Sequence, residues 1–131
     1  MNYLIDTQIF IWAIVSPKKI GQAAQTILEN NAIFVSQISL FEIAIKQKIG
    51  KLPELSLPID ALLNQLYEDG FQLLPIRNTH IAAYDSIPLV ADHRDPFDRL
   101  ILATALTENW TIISADERFR EYVPQIRLIE A

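Results

Sequence analysis

The sequence has no cysteine, only three glycines and a single methionine among 131 residues. Without cysteine there is no disulfide framework, no thiolate zinc site and no thiol nucleophile, and a reducing, cytoplasmic setting is expected. So few glycines, with no low-complexity run, exclude fibrous and repeat architectures. The longest unbroken apolar run, Ile9 to Val15, is seven residues. A membrane-spanning helix needs about 20. No basic segment opens the chain, so neither a membrane span nor a secretory leader is expected. Positive charge is scarce as well: 11 Lys and Arg stand against 16 Asp and Glu, a net charge of −5. That balance argues against a protein that holds nucleic acid by non-specific attraction alone.

Half of the residues are hydrophobic and no Gly/Ser- or Pro-rich linker divides them, which predicts one folded domain over residues 1–131. Apolar runs of strand length fall at Tyr3 to Ile5, Ile33 to Val35, Phe71 to Leu74, Thr111 to Ile113 and Ile126 to Ile129. Between them lie helix-period stripes: Ile20, Ala23, Ala24, Ile27 and Leu28; Ile59, Leu62, Leu63, Leu66 and Tyr67, ended by Gly70; and Phe41, Ala44, Ile45 and Ile49, ended by Gly50. Strands alternating with helices predict an α/β fold with a mostly parallel sheet of four to five strands, helices on both faces, and ligands outside the carboxyl ends of the strands.

Four acids are expected on that edge. Asp6 follows the first strand, Asp116 follows the fourth, and Glu42 and Asp98 fall in the first turns of helices. Each also has a purely structural reading. Ser39 to Glu42 has the spacing of a capping box, Asp95 with Pro96 makes a helix start in which Asp98 faces the dipole, and Asp6 and Asp116 could cap the helices after them. Caps explain acids at helix starts without requiring them to share a cleft, and a charge abutting an apolar strand is costly unless compensated. Crowded carboxylates repel, so some would hold a proton unless a cation entered. All-oxygen ligands with neither Cys nor paired His suit Mg²⁺ or Mn²⁺, ions that serve phosphoryl chemistry. Rival acid-based chemistries fit less well: aspartyl phosphatases place a second Asp where Gln8 stands, and receiver domains need a phosphoacceptor Asp where Leu74-Pro75 stands.

The segments Tyr3-Leu4-Ile5-Asp6-Thr7 with Trp12, Val35-Ser36-Gln37-Ile38-Ser39 leading to Phe41-Glu42-Ile43-Ala44, and Gly50-Lys51-Leu52 resemble a PIN domain. Leu74-Pro75-Ile76, His93-Arg94-Asp95-Pro96-Phe97-Asp98-Arg99 into Ile101-Leu102-Ala103, and Ser114-Ala115-Asp116 with Phe119 resemble its VapC-type toxin branch. The resemblance runs from about residue 2 to 129, and it is the order and spacing of the motifs that make it specific. It implies a three-layer α/β/α sandwich and a Mg²⁺- or Mn²⁺-dependent endoribonuclease toxin of a type II toxin–antitoxin pair, held in check by a VapB-type antitoxin. It carries the family's four acids onto Asp6, Glu42, Asp98 and Asp116, with Asp6 and Asp98 holding a metal and Glu42 and Asp116 completing the site. The hydroxyl beside the first acid becomes Thr7. The hydroxyl usually next to the last acid is displaced to Ser114, because Ala115 stands there. A module of the same fold that has lost catalysis and serves protein interaction is the competing reading.

Several neighbours remain open between roles. Arg99 is either a partner of a site carboxylate or an RNA phosphate, or an exposed helix residue. His80 is expected to be structural, His93 solvated and Asp95 a cap. Lys46, Lys48, Lys51, Arg94, Arg118 and Arg120, with Arg99, would form a basic rim that guides RNA despite the acidic total. In Ile9 to Val15, Phe10, Ile11 and Trp12 are not all expected to face inward, which leaves room for a homodimer mate or the antitoxin.

Overall fold

Short apolar runs separated by amphipathic helices can bury both faces of their strands only inside a parallel, helix-covered sheet. The computed structural model describes residues 1–90 and 95–131. It shows β1 (Asn2–Ile5), α1 (Thr7–Val15), α2 (Gln22–Asn30), β2 (Ala32–Ser36), α3 (Gln37–Lys48), α4 (Ile59–Glu68), β3 (Gln72–Leu74), α5 (Asn78–Ala83), α6 (Pro96–Glu108), β4 (Thr111–Ser114) and β5 (Leu128–Glu130). Short 3-10 turns lie at Pro17–Lys19, Tyr84–Ser86 and Glu117–Tyr122.

The five strands run in the order β3-β2-β1-β4-β5, and every adjacent pair is parallel. Alternation along each strand sorts side chains into two cores. Tyr3, Ile5, Ile33, Val35 and Ile113 pack with α1, α2 and α4, together with Leu40 and Ile43 of α3. Leu4 and Ile112 pack with α6 and with Phe119, Tyr122 and Ile126. The result is the expected three-layer α/β/α sandwich. The chain moves outward from β1 through β2 to β3, then returns to the other side of β1 for β4 and β5. The crevice between the carboxyl ends of β1 and β4 is therefore a topological switch point, where side chains from both halves are free to converge.

Two expectations are corrected here. The outward face of α3 is the stripe expected to be buried: Phe41 and Ile49 are 58% and 57% exposed. Its inward face is Ser39, Leu40, Glu42 and Ile43. The core side carries two polar residues because it borders the crevice as well as the sheet. In α1, Ile9, Phe10 and Ile11 are all buried, because the helix is covered by the sheet, by α3 and by the turn at Pro17–Lys19. Phe10 and Ile11 thus need no partner, and Trp12 is half-buried.

Gly50 ends α3 at φ +74°, a conformation that disfavours a side chain. The Lys51 N–H then returns to the Lys46 carbonyl at 2.9 Å, and this reversal carries Lys51 and Leu52 back to the crevice. No helix among the described residues is long and apolar enough to cross a membrane.

Leu4 and Ile5 point into opposite layers from the central strand, and both are fully buried. Replacing either with Ala is expected to cost about 2–5 kcal/mol, read from urea unfolding. Equal losses at both positions would mark both layers as closely packed, and a negligible loss at either would contradict the two-core arrangement.

Candidate active site

Asp6 continues β1 by one residue, its N–H still donating to the Ile113 carbonyl at 3.2 Å. Its two carboxylate oxygens have separate structural tasks. Oδ1 accepts from the Ile9 N–H at 2.9 Å and so caps α1, while Oδ2 accepts from the Ser114 hydroxyl at 2.5 Å. Ser114 ends β4, and its Oγ in turn accepts the Asp116 N–H at 3.0 Å. One hydroxyl thus joins the first acid to the last across the switch point. The displacement of this hydroxyl from position 115 to Ser114 leaves it in contact with both acids.

Glu42 reaches the same crevice from α3. The helix begins at Gln37 with Ser36 as its cap, the Ser36 hydroxyl accepting from the Ile38 N–H. Glu42 therefore sits in the second turn, not the first, and the Ser39 capping-box reading is superseded. Ser39 instead accepts a 2.8 Å hydrogen bond from the Thr7 hydroxyl, tying α1 to α3 beneath the acids. Asp98 arrives from the first turn of α6, whose cap is Asp95 as expected, its Oδ1 accepting from the Phe97 and Asp98 N–H groups. Asp116 caps the turn at Glu117–Tyr122 by accepting from the Arg118 N–H. Asp6, Thr7, Glu42, Asp95, Asp98 and Asp116 all line one cleft of about 750 Å³. Three of these acids, Asp6, Asp95 and Asp116, are also the caps of the helical turns that follow them.

Asp6 is 3% exposed. Burial pushes its carboxyl up to about 7, opposed by the Ser114 and Ile9 hydrogen bonds and reinforced by the nearby charges of Asp98 and Asp116. Glu42 is buried too; its Oε2 meets Lys46 Nζ at 3.1 Å, while Oε1 is buried with no hydrogen-bond partner among the described residues. A buried carboxylate oxygen without a donor among the described residues, on the same cleft as an aspartate whose carboxyl is raised chiefly by burial, is a site short of positive charge. Oxygen-only donors of this kind fit a hard divalent cation. In the arrangement shown, no group of three acidic or histidine side chains among the described residues is close enough to form a ready cage. A guanidinium lies among the acids instead, with Arg118 Nη2 at 2.8 Å from Asp116 and 3.9 Å from Asp98.

The cationic rim is only partly as expected. Lys46, Lys51 and Arg118 line the cleft, joined by Lys19, whose Nζ lies 5.8 Å from the Trp12 ring centroid. Lys19 comes from a short 3-10 turn, which has no periodicity by which sequence could place it. Lys48 and Arg120 are not on the cleft, and Arg120 pairs with Glu130. His93 and Arg94 lie outside the described residues.

Arg99 is corrected outright. It is 2% exposed and points away from the cleft. Its Nη1 and Nη2 donate to the Pro88 and Ile87 carbonyls at 2.9 and 2.7 Å, and Nε donates to the Tyr84 hydroxyl. It gives charged donors to the buried Ile87 carbonyl and the part-buried Pro88 carbonyl, so neither reading offered by the sequence holds. His80 is structural, as expected: Nδ1 accepts from the Arg77 N–H and Nε2 bonds Glu108, linking α5 to α6.

Residues 3–123 match the PIN domain family. A curated relative, Ribonuclease VapC22 of Mycobacterium tuberculosis, is 30% identical over 123 residues, covering 91% of this chain and 90% of the relative. Two solved structures share the fold. One is VapBC2 from Rickettsia felis bound to a promoter DNA fragment (TM-score 0.72, 20% identity, 99% of this chain and 98% of that one). The other is DNA-bound VapBC from Salmonella typhimurium (TM-score 0.68, 17% identity, 99% and 98%).

Because Asp6 titrates near 7 when folded and near 3.8 otherwise, the folded state binds the extra proton between those values. Stability of the metal-free chain should therefore fall as pH rises from about 4 to 7 and level off above. Asp6→Asn retains the cap acceptor without the charge, so it should raise the melting temperature by several degrees at pH 8 and change it little at pH 4, as calorimetry would show. An equal shift at both pH values would contradict the burial of an ionisable group here. Arg99→Met should cost about 2 kcal/mol or more by urea unfolding, because the buried Ile87 carbonyl loses its charged donor.

Proposed function

The chain belongs to the PIN-domain family, and from that premise we propose that it is a divalent-metal-dependent endoribonuclease, the toxin of a type II toxin–antitoxin pair. The observation that carries this reading is the buried carboxylate of Asp6, pushed up to about 7 chiefly by its burial and sharing a cleft with Asp98, Asp116 and a Glu42 oxygen that has no hydrogen-bond partner among the described residues. The curated relative named as a ribonuclease supports the same chemistry.

Asp6 and Asp98 would hold the ion, Mg²⁺ or Mn²⁺, with Glu42 and Asp116 completing its surroundings. Bound there, the cation would lower the pKa of a water and neutralise charge developing on the scissile phosphate. The protein's own groups do the remainder. The Ser114 hydroxyl fixes the orientation of Asp6 and the position of Asp116. Thr7 and Ser39 keep α1 and α3 in register beneath the acids. Lys19, Lys46 and Lys51 on the cleft wall draw a phosphate chain toward an otherwise acidic molecule, and the half-buried Trp12 offers a ring face of the kind on which single-stranded bases stack. In-line attack by water leaves a 5′-phosphate and a 3′-hydroxyl.

The partner is a VapB-type antitoxin, which would block this cleft; the solved structures sharing the fold that are named VapBC support such a partner. Cytoplasmic action and a homodimer belong to the same reading; for the homodimer the support is the outward, apolar Phe41 and Ile49 of α3.

Asp98→Asn and Asp116→Asn are each expected to lower cleavage of single-stranded RNA by about a hundredfold or more at saturating Mg²⁺. Both should also shrink the rise in melting temperature that Mn²⁺ gives the wild type. Cleavage within a few-fold of wild type in either variant overturns the scheme. A wild type that neither cleaves RNA nor responds to Mn²⁺ while binding an antitoxin would point instead to an interaction module.

A further inference from the structure

Arg118 holds a more specific place than a rim residue. Its Nε lies 3.1 and 3.2 Å from the two Asp116 carboxylate oxygens, and its Nη2 lies 2.8 Å from Asp116 Oδ2 and 3.9 Å from Asp98 Oδ2. It thus touches acids from two separate elements, the turn after β4 and the first turn of α6. The side chain is 50% exposed and lies on the wall of the cleft, so it can swing outward without giving up a buried position.

We propose that Arg118 is an exchangeable counterion: it neutralises Asp116 and Asp98 in the metal-free chain, yields their oxygens to an entering divalent cation, and then turns its guanidinium to an RNA phosphate. The inference rests on the metal-dependent reading above. Its physical basis is competition for the same oxygens. A guanidinium at 2.8 Å from Asp116 Oδ2 occupies an approach that a cation bound to that oxygen needs, and two positive charges a few ångströms apart repel. The planar fork that pairs with a carboxylate also fits a phosphate. Once released, Arg118 stands on the same cleft as Lys46 and Lys51. The surface becomes most attractive to RNA when the site is loaded, and an empty site holds its own charge in check. Lys46 differs, since it pairs with one acid four residues earlier on its own helix and so links no separate segments.

The test is isothermal titration of the intact chain with MnCl₂, comparing wild type, Arg118→Gln and Arg118→Lys. Gln is expected to bind Mn²⁺ about three- to tenfold more tightly, because the competing charge is gone. Lys, which keeps the charge but loses the fork, should fall between. In steady-state cleavage at saturating Mn²⁺, Arg118→Gln should raise KM for RNA, so that one substitution tightens metal and loosens substrate. A purely structural role would weaken both or change neither. Unchanged or weaker Mn²⁺ affinity in Arg118→Gln, with a melting temperature close to wild type, overturns the proposal, as does a wild type that binds no Mn²⁺ at all. Tighter Mn²⁺ binding in a protein that cleaves no RNA leaves the exchange standing and removes the ribonuclease reading. RNA cleavage with unaltered metal affinity does the reverse.

Discussion

Everything in the cleft is built around a carboxylate that cannot leave. Asp6 is the joint between β1 and α1, its Oδ1 occupied by the first turn of the helix and its Oδ2 by the last residue of β4. Those contacts span 108 residues of sequence and lie in the interior, where an uncompensated charge is expensive. The neighbouring acids add repulsion to burial. The fold tolerates this in part because Asp6 and Asp116 also cap the helical turns after them, so that removing them would leave backbone donors unsatisfied. On the proposed reading, structural need and chemical use fall on the same atoms, and a cation would relieve the cost of their burial and repulsion.

The parallel topology explains why the set converges. A strand order that starts in the middle and reverses direction leaves one crevice beside the first strand. Asp6 and Ser114 border it from adjacent strands, Asp116 from the turn beyond, and Glu42 and Asp98 from helices whose inward positions face it. The acidic total of the chain is no obstacle to acting on a polyanion, because charge acts locally: three lysines and an arginine line the wall of the cleft that holds the acids.

Much of this was legible beforehand, for identifiable reasons. Each strand holds two to four consecutive apolar residues, and Asp6, Asp98 and Asp116 sit next to strands or at a helix start, positions that local rules can read. What stayed hidden depended on tertiary context. In α3 two stripes compete, and the one richer in large apolar residues faces outward, because the inward stripe borrows Ser39 and Glu42 for the crevice. Arg99 is buried by pairing with main-chain oxygens at positions 87 and 88, and backbone acceptors leave no trace in side-chain patterns. The contact of Arg118 with Asp98 joins different elements and becomes visible only once they are assembled.

The bond from Ser114 to Asp6 also orders events in time. Synthesis delivers Asp6 well before Asp116, and β1 lacks its β4 neighbour until the segment 111–114 has emerged and docked. A ribosome-bound or truncated product therefore carries most of the acidic side chains without the cleft that unites them.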